Sequence, residues 1–131
     1  MREKMMASSS VTRPVELSRQ PAVARRELAR VLAEERWDGD VDGVILAVHE
    51  AMVNAQRHGG GVTGASVCVD GDTVSVEVAD KGRGFQIPET ASGADVTAER
   101  GRGLFLIHHL ATEATVRRNG TEVCLTLRFE R

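Results

Sequence analysis

Aromatic residues are nearly missing from this 131-residue chain, which has one Trp, three Phe and no Tyr. Whatever core it builds is therefore aliphatic. Cysteine is also scarce. Cys68 and Cys124 each stand alone in a strand-like segment, with no CxxC or Cys/His cluster. That excludes a disulfide framework and a cysteine-based zinc site, and leaves reduced core thiols in a cytoplasmic protein as the expectation. No apolar run approaches the roughly 20 residues that a membrane span needs. The start, MREKMMASSS, is charged and lacks the apolar stretch of a signal peptide. Lysine occurs only as Lys4 and Lys81, and the formal net charge is −2. A near-balanced charge gives no reason to expect nucleic acid or an anionic membrane as the main partner. The length suits one domain with a real core.

Several catalytic motifs are missing too. His49-Glu50 begins an HExxH zinc site, but the second histidine would have to stand at Val53. There is no GxxxxGK[ST] loop. Gly82-Arg83-Gly84 and Gly101-Arg102-Gly103 both lack the third glycine of a dinucleotide fingerprint. No Ser-His-Asp set or nucleophile elbow is visible.

What is present centres on ILAVHEAMVNAQRHGGG, from Ile45 to Gly61. Val41, Val44, Ile45, Val48, Met52 and Ala55 recur at helical steps and form an apolar stripe. Glu50, Asn54 and His58 are four apart, so they form one row beside that stripe, where side chains are half covered. By residue type alone, such a row is equally a solvated helix edge.

Before this helix, residues 1–10 read as a disordered tail, rich in Ser and charge and without period. A domain over residues 11–131 follows. Val11 to Leu17 suits an edge strand, since Pro14 cannot donate within a central one. Pro21 opens a helix running to about Glu35, and Trp37 falls in a short connection. Asp38, Asp40 or Asp42 then caps the central helix. After the glycines the period becomes two. Ala65–Asp70 and Thr73–Ala79 read as paired strands turned by Asp70-Gly71. Asp80 to Gly84 is a glycine loop, and residues 86–102 form a long loop of the kind that is usually functional or disordered. Leu104 to Ala111 is a short helix. A second hairpin, Ala114–Arg118 and Thr121–Phe129, turns at Asn119-Gly120.

Three features carry the candidate chemistry: the Glu50/Asn54 helix, the loop Asp80-x-Gly82-x-Gly84 after a strand, and Gly101-x-Gly103-Leu104 opening a helix. Taken singly, Asp80 with two glycines is more often a turn than a ligand site, and Gly101 and Gly103 suit a cap and a flexible joint. In this order and spacing they resemble the Bergerat-fold (GHKL) ATPase superfamily, and within it the small serine kinases that act as anti-sigma factors. Glu50 to Gly59, E-A-x-x-N-A-x-x-H-G, matches the N box; the Asp80 loop matches the G1 box; Gly101-x-Gly103-Leu104 matches the G2 box. Gly120-Thr121-x-Val123-x-Leu125 matches the closing strand. Two places depart from the pattern: Arg100 stands where a serine is often found, and Gly59-Gly60-Gly61 replaces a small residue followed by an aromatic one.

The resemblance implies an α+β two-layer sandwich, with a mixed, mainly antiparallel sheet covered on one face by three helices. It implies ATP and Mg²⁺ as cofactors. Asn54 would give its side-chain oxygen to Mg²⁺, an ion that keeps waters and needs few protein ligands. Glu50 would orient or deprotonate the attacking hydroxyl. His58 belongs to the same motif. Asp80 would accept from the adenine amino group, while Gly82 and Gly84 let the backbone approach the base. Gly101, Gly103 and Leu104 would place backbone N–H groups at the phosphates, with a cation from Arg100 or Arg102. Thr121 would contact the base region, and Phe85 to Arg100 would form a lid. The partners implied are a sigma factor, an anti-anti-sigma protein phosphorylated on serine, and a second copy of the chain. An ATP-dependent binding module with little catalysis is the alternative.

Overall fold

The change of period at the glycine run separates two layers. A computed structural model describes residues 13–82, 90–92 and 102–131, with backbone alone for 90–92 and 102–105. The elements are β1 (Val15–Glu16), α1 (Pro21–Glu34), α2 (Val41–His58), β2 (Val62–Asp70), β3 (Thr73–Asp80), β4 (Thr90–Ser92), α3 (Arg102–Leu110), β5 (Glu113–Asn119) and β6 (Glu122–Glu130). The strands form one sheet in the order β1-β2-β3-β6-β5-β4. A mixed, mainly antiparallel sheet is the expectation; every pairing among the described residues is antiparallel. The architecture is the expected two-layer sandwich. The expected tail, residues 1–10, lies outside the described residues.

Strand alternation decides which face is covered. Val74, Val76 and Val78 of β3 and Val123, Leu125, Leu127 and Phe129 of β6 are buried, while Glu77 between them is exposed. The helices supply the other half of the core through Leu28 and Leu32 of α1 and Val44, Val48 and Met52 of α2. α2 runs down the middle, packed on the sheet and flanked by α1 and α3. Asp40 is its N-cap: the Asp40 side chain accepts from the Gly43 N–H at 3.0 Å. Arg57 sits in its last turn, where a cation complements the helix dipole.

The structure differs from the sequence reading at several points. Both hairpin turns are shifted by one residue. Asp70 pairs with Thr73 and Asn119 with Glu122, so the loops are Gly71-Asp72 and Gly120-Thr121. The glycine comes first, with φ of 61° and 66°, which only glycine adopts readily. β2 starts three residues early, at Val62, because a bulge between Val62 and Gly64 takes up the extra residue, Thr63, and keeps the strand paired. Thr90–Ser92, expected within a loop, forms β4 against β5. Cys68 and Cys124 are half-buried thiols on the open face of the sheet rather than core residues. Burial, with help from the nearby Glu77, pushes the Cys124 thiol above its ordinary value.

One corner fixes the entry to α2. The Trp37 indole N–H donates to the Asp72 carbonyl at 2.9 Å, tying the α1–α2 connection to the β2–β3 hairpin. The Arg131 guanidinium bridges Asp38 at 2.8 Å and Asp72 at 2.7 Å over the same corner. These exposed ion pairs add little energy and mainly position the chain.

Met52 is fully buried where α2 packs on the sheet. Met52→Ala should therefore cost about 2–5 kcal/mol of unfolding free energy, the range for a large-to-alanine change in a core. Urea denaturation followed by circular dichroism measures it.

Candidate functional site

The row Glu50, Asn54, His58 is not evenly covered, as its position beside the stripe suggests it should be. Glu50 is half-buried, Asn54 is 6% exposed and His58 is exposed. The reason is the helix on either side of α2. With α3 packed against it, the covered face widens to take in Ala47, Ala51 and Asn54 as well as the predicted stripe. Exposure therefore rises from the middle of the row toward both ends. Asn54 is left with its Nδ2 buried and without a hydrogen-bond partner. A buried amide without a partner costs about 1–3 kcal/mol. A half-turn of the carboxamide exchanges N for O, so this buried end is available as a donor or as an acceptor.

Asp80 ends β3 on the same inner face and is 3% exposed. Its Oδ1 accepts from the Gly82 N–H at 2.7 Å, an Asx turn that folds the chain back over the strand end. Its other flank is α2. A Cβ built on Gly59 would lie 2.4 Å from the Asp80 Cγ and 2.4 Å from Oδ2. The missing side chain of Gly59 is the space the carboxylate occupies. The end of α2 is held in place by the Ala55 carbonyl, which accepts from both Gly59 N–H at 2.9 Å and Gly61 N–H at 3.1 Å.

Gly82 has a φ of 70°. A side chain there would meet Val123, the Thr121 carbonyl and the Arg118 guanidinium, all at 3.0–3.3 Å. The turn therefore lies flat on the start of β6. Thr121 is exposed, and it is its main-chain carbonyl that faces Gly82.

Asp80, Gly82 and Thr121 thus lie together at one end of the interlayer space beside Gly59, with Asn54 and then Glu50 further back along α2. Gly84, Arg100, Gly101 and most of the expected lid lie outside the described residues. α3 begins at Arg102, so Gly103 and Leu104 fall in its first turn. The close approach of Gly59 to Asp80 and the position of Arg118 were missed from sequence. Gly59 had a signal, as the first glycine after the helix; Arg118 had one in continuing the alternation of Ala114 and Val116. Among the described residues two other buried atoms lack partners, His49 Nδ1 and Thr63 Oγ1; no motif marks either. Among the described residues no group of three or more His, Cys, Asp or Glu is placed to hold a metal ion. No helix there is long and apolar enough to cross a membrane.

The family model of the histidine kinase-like ATPase domain matches residues 14–129. The chain belongs to this family. The match spans α2, the Asp80 turn and the closing hairpin, so the superfamily expected from the three motifs is shown. No curated protein matches the chain. Histidine kinase-like ATPase domains bind ATP, and the residues here fit that ligand. A buried carboxylate stands beside an open glycine turn, and a buried carboxamide end is unpartnered.

The orphaned amide makes a trade-off testable. Asn54→Leu has similar volume and removes the unpartnered group, so the nucleotide-free protein should be unchanged or more stable, by up to about 1 kcal/mol. The same variant should lose Mg²⁺-dependent ATP binding. Thermal unfolding with and without Mg²⁺-ATP checks both, since a bound ligand raises the parent's melting temperature and should leave the variant's unchanged.

Proposed function

We propose that this chain is an ATP-binding serine kinase of the anti-sigma type. In this reading it binds a sigma factor and phosphorylates a serine of an anti-anti-sigma protein. The observation that supports it most is the pairing of a buried Asp80, seated against Gly59, with an orphaned Asn54 one turn earlier on α2. ATP supplies the phosphoryl group, and Mg²⁺ the charge that offsets its phosphates. Asp80 accepts from the adenine amino group, which selects adenine over guanine because guanine offers a carbonyl there. Asn54 turns its oxygen to the ion, which needs few protein ligands.

Glu50 has a separate role. Half-buried and one turn before Asn54 on α2, it sits at the rim where a second protein's hydroxyl can reach it. There it takes the proton of the attacking serine as general base. A serine acceptor in a partner protein fits the resemblance to anti-sigma kinases. The same resemblance leads us to propose a homodimer and a cytoplasmic location.

Phosphoryl transfer separates a kinase from a binding module. Labelled ATP, Mg²⁺ and the anti-anti-sigma protein from the same cell should yield phosphoserine with the parent chain. Glu50→Ala should keep near-parental ATP affinity and lose transfer by roughly 10²–10⁴-fold, the usual contribution of a general base. A parent that binds ATP yet transfers no phosphate would make the chain an ATP-dependent sequestering module. Full transfer by the variant would leave the kinase in place with a different base.

A further inference from the structure

The inner face of the sheet ends in a row of four residues across four strands. Val62 pairs with Asp80, Asp80 with Val123, and Val123 with Arg118. The arginine is the unexpected member. Ala114 and Val116, four and two residues before it on β5, are buried against the helix layer, so alternation points Arg118 to that same face. It is half-buried there, while its neighbours Arg117 and Asn119 on the other face are exposed. Its Nη1 lies 3.3 Å from where a Gly82 Cβ would be, so the guanidinium rests against the turn that holds Asp80.

A half-buried cation ordinarily has an acid beside it. Among the described residues the ion pairs belong to Arg128 and Arg131, and Arg118 has none. Two strand spacings, roughly 10 Å, separate its backbone from that of Asp80. Between the two stands Val123, apolar and buried. The rim of the inner face thus offers an acceptor, an apolar floor and a planar cation with donors to spare. That combination suits a purine: a hydrogen-bonding edge for the carboxylate and a π-face or ring nitrogen for the guanidinium.

We infer that Arg118 is a nucleotide-binding residue whose guanidinium contacts the base end of ATP. The inference rests on the ATP-site reading above and adds to it a contact outside the N, G1 and G2 boxes. The phosphates are assigned to the other end of the site, at Asn54 and the start of α3, so the energy that Arg118 contributes does not depend on how many phosphates the ligand carries. A planar group is required, because a lysine ammonium is a point charge without a stacking face.

A ladder of ligands tests this. Affinities of the full chain for AMP, ADP and ATP, each with Mg²⁺, are measured by calorimetry for the parent, Arg118→Ala, Arg118→Lys and Arg117→Ala. Arg118→Ala should weaken all three ligands by one common factor of about 3- to 30-fold, the span of a cation–π contact. Arg118→Lys should stay weakened, and Arg117→Ala, on the opposite face, should match the parent. Circular dichroism and melting temperature confirm that each variant is folded; if Arg118→Ala is not, Arg118→Lys carries the test alone. Parental affinity in a folded Arg118→Ala overturns the inference, as does full rescue by Arg118→Lys. A loss that grows with each added phosphate also overturns it, by making Arg118 a phosphate contact. A parent that binds none of the three overturns the ATP-site reading itself, a result distinct from any of these.

Discussion

A carboxylate can leave water only where hydrogen bonds and space have been arranged for it. Asp80 is the point where this chain meets that condition. One hydrogen bond comes from Gly82, two residues on, and the space from Gly59, at the other end of the connection between α2 and the sheet. Both partners are glycines. A side chain on either would push the turn or the carboxylate out of place, so the two layers register on each other at this contact. The bulge in β2 serves the same end, because it lets Val62 pair with Asp80 and carries the sheet to the rim of the site.

The rest of the site follows from where α2 lies. A helix with solvent on one side buries one stripe; α2, with the sheet below and helices to either side, buries a wider face that takes in Ala47, Ala51 and Asn54. That is why the Glu50, Asn54, His58 row is graded from half-buried through buried to exposed. The grading sorts chemistry. A buried carboxamide with an orphaned end suits a ligand that excludes water, and a half-buried carboxylate suits a proton acceptor that must meet a second molecule. Leaving Asn54 unpartnered costs stability in the empty protein. The cost is recovered when a ligand satisfies it, a recurring trade between stability and function.

The sequence shows those features that are local. The period of α2, the Asp-Gly and Asn-Gly hairpins and the Pro21 helix start are all patterns within a few residues, and each led to an element of the right kind. Turn register was off by one because Asp70-Gly71 reads as the two central residues, whereas Asp70 stays in the ladder. β4 was missed because three residues carry too little pattern to stand out within a long loop. Cys68 and Cys124 fall on the open face against expectation because alternation gives a strand two faces without saying which is covered. The burial of Asn54 and the contacts of Gly59 and Arg118 depend on packing between distant segments, which no local pattern records.

Base selection tests the central claim most directly, since it depends on the Asp80 carboxylate and on little else. Titration calorimetry of the parent and of Asp80→Ala with Mg²⁺-ATP and Mg²⁺-GTP measures it. The parent should bind ATP and clearly disfavour GTP, and Asp80→Ala should lose at least about 1–3 kcal/mol of ATP binding, as when a buried polar partner is left unpaired. Equal affinity of the parent for the two nucleotides, or undiminished ATP binding by a folded Asp80→Ala, would contradict a site built around this carboxylate.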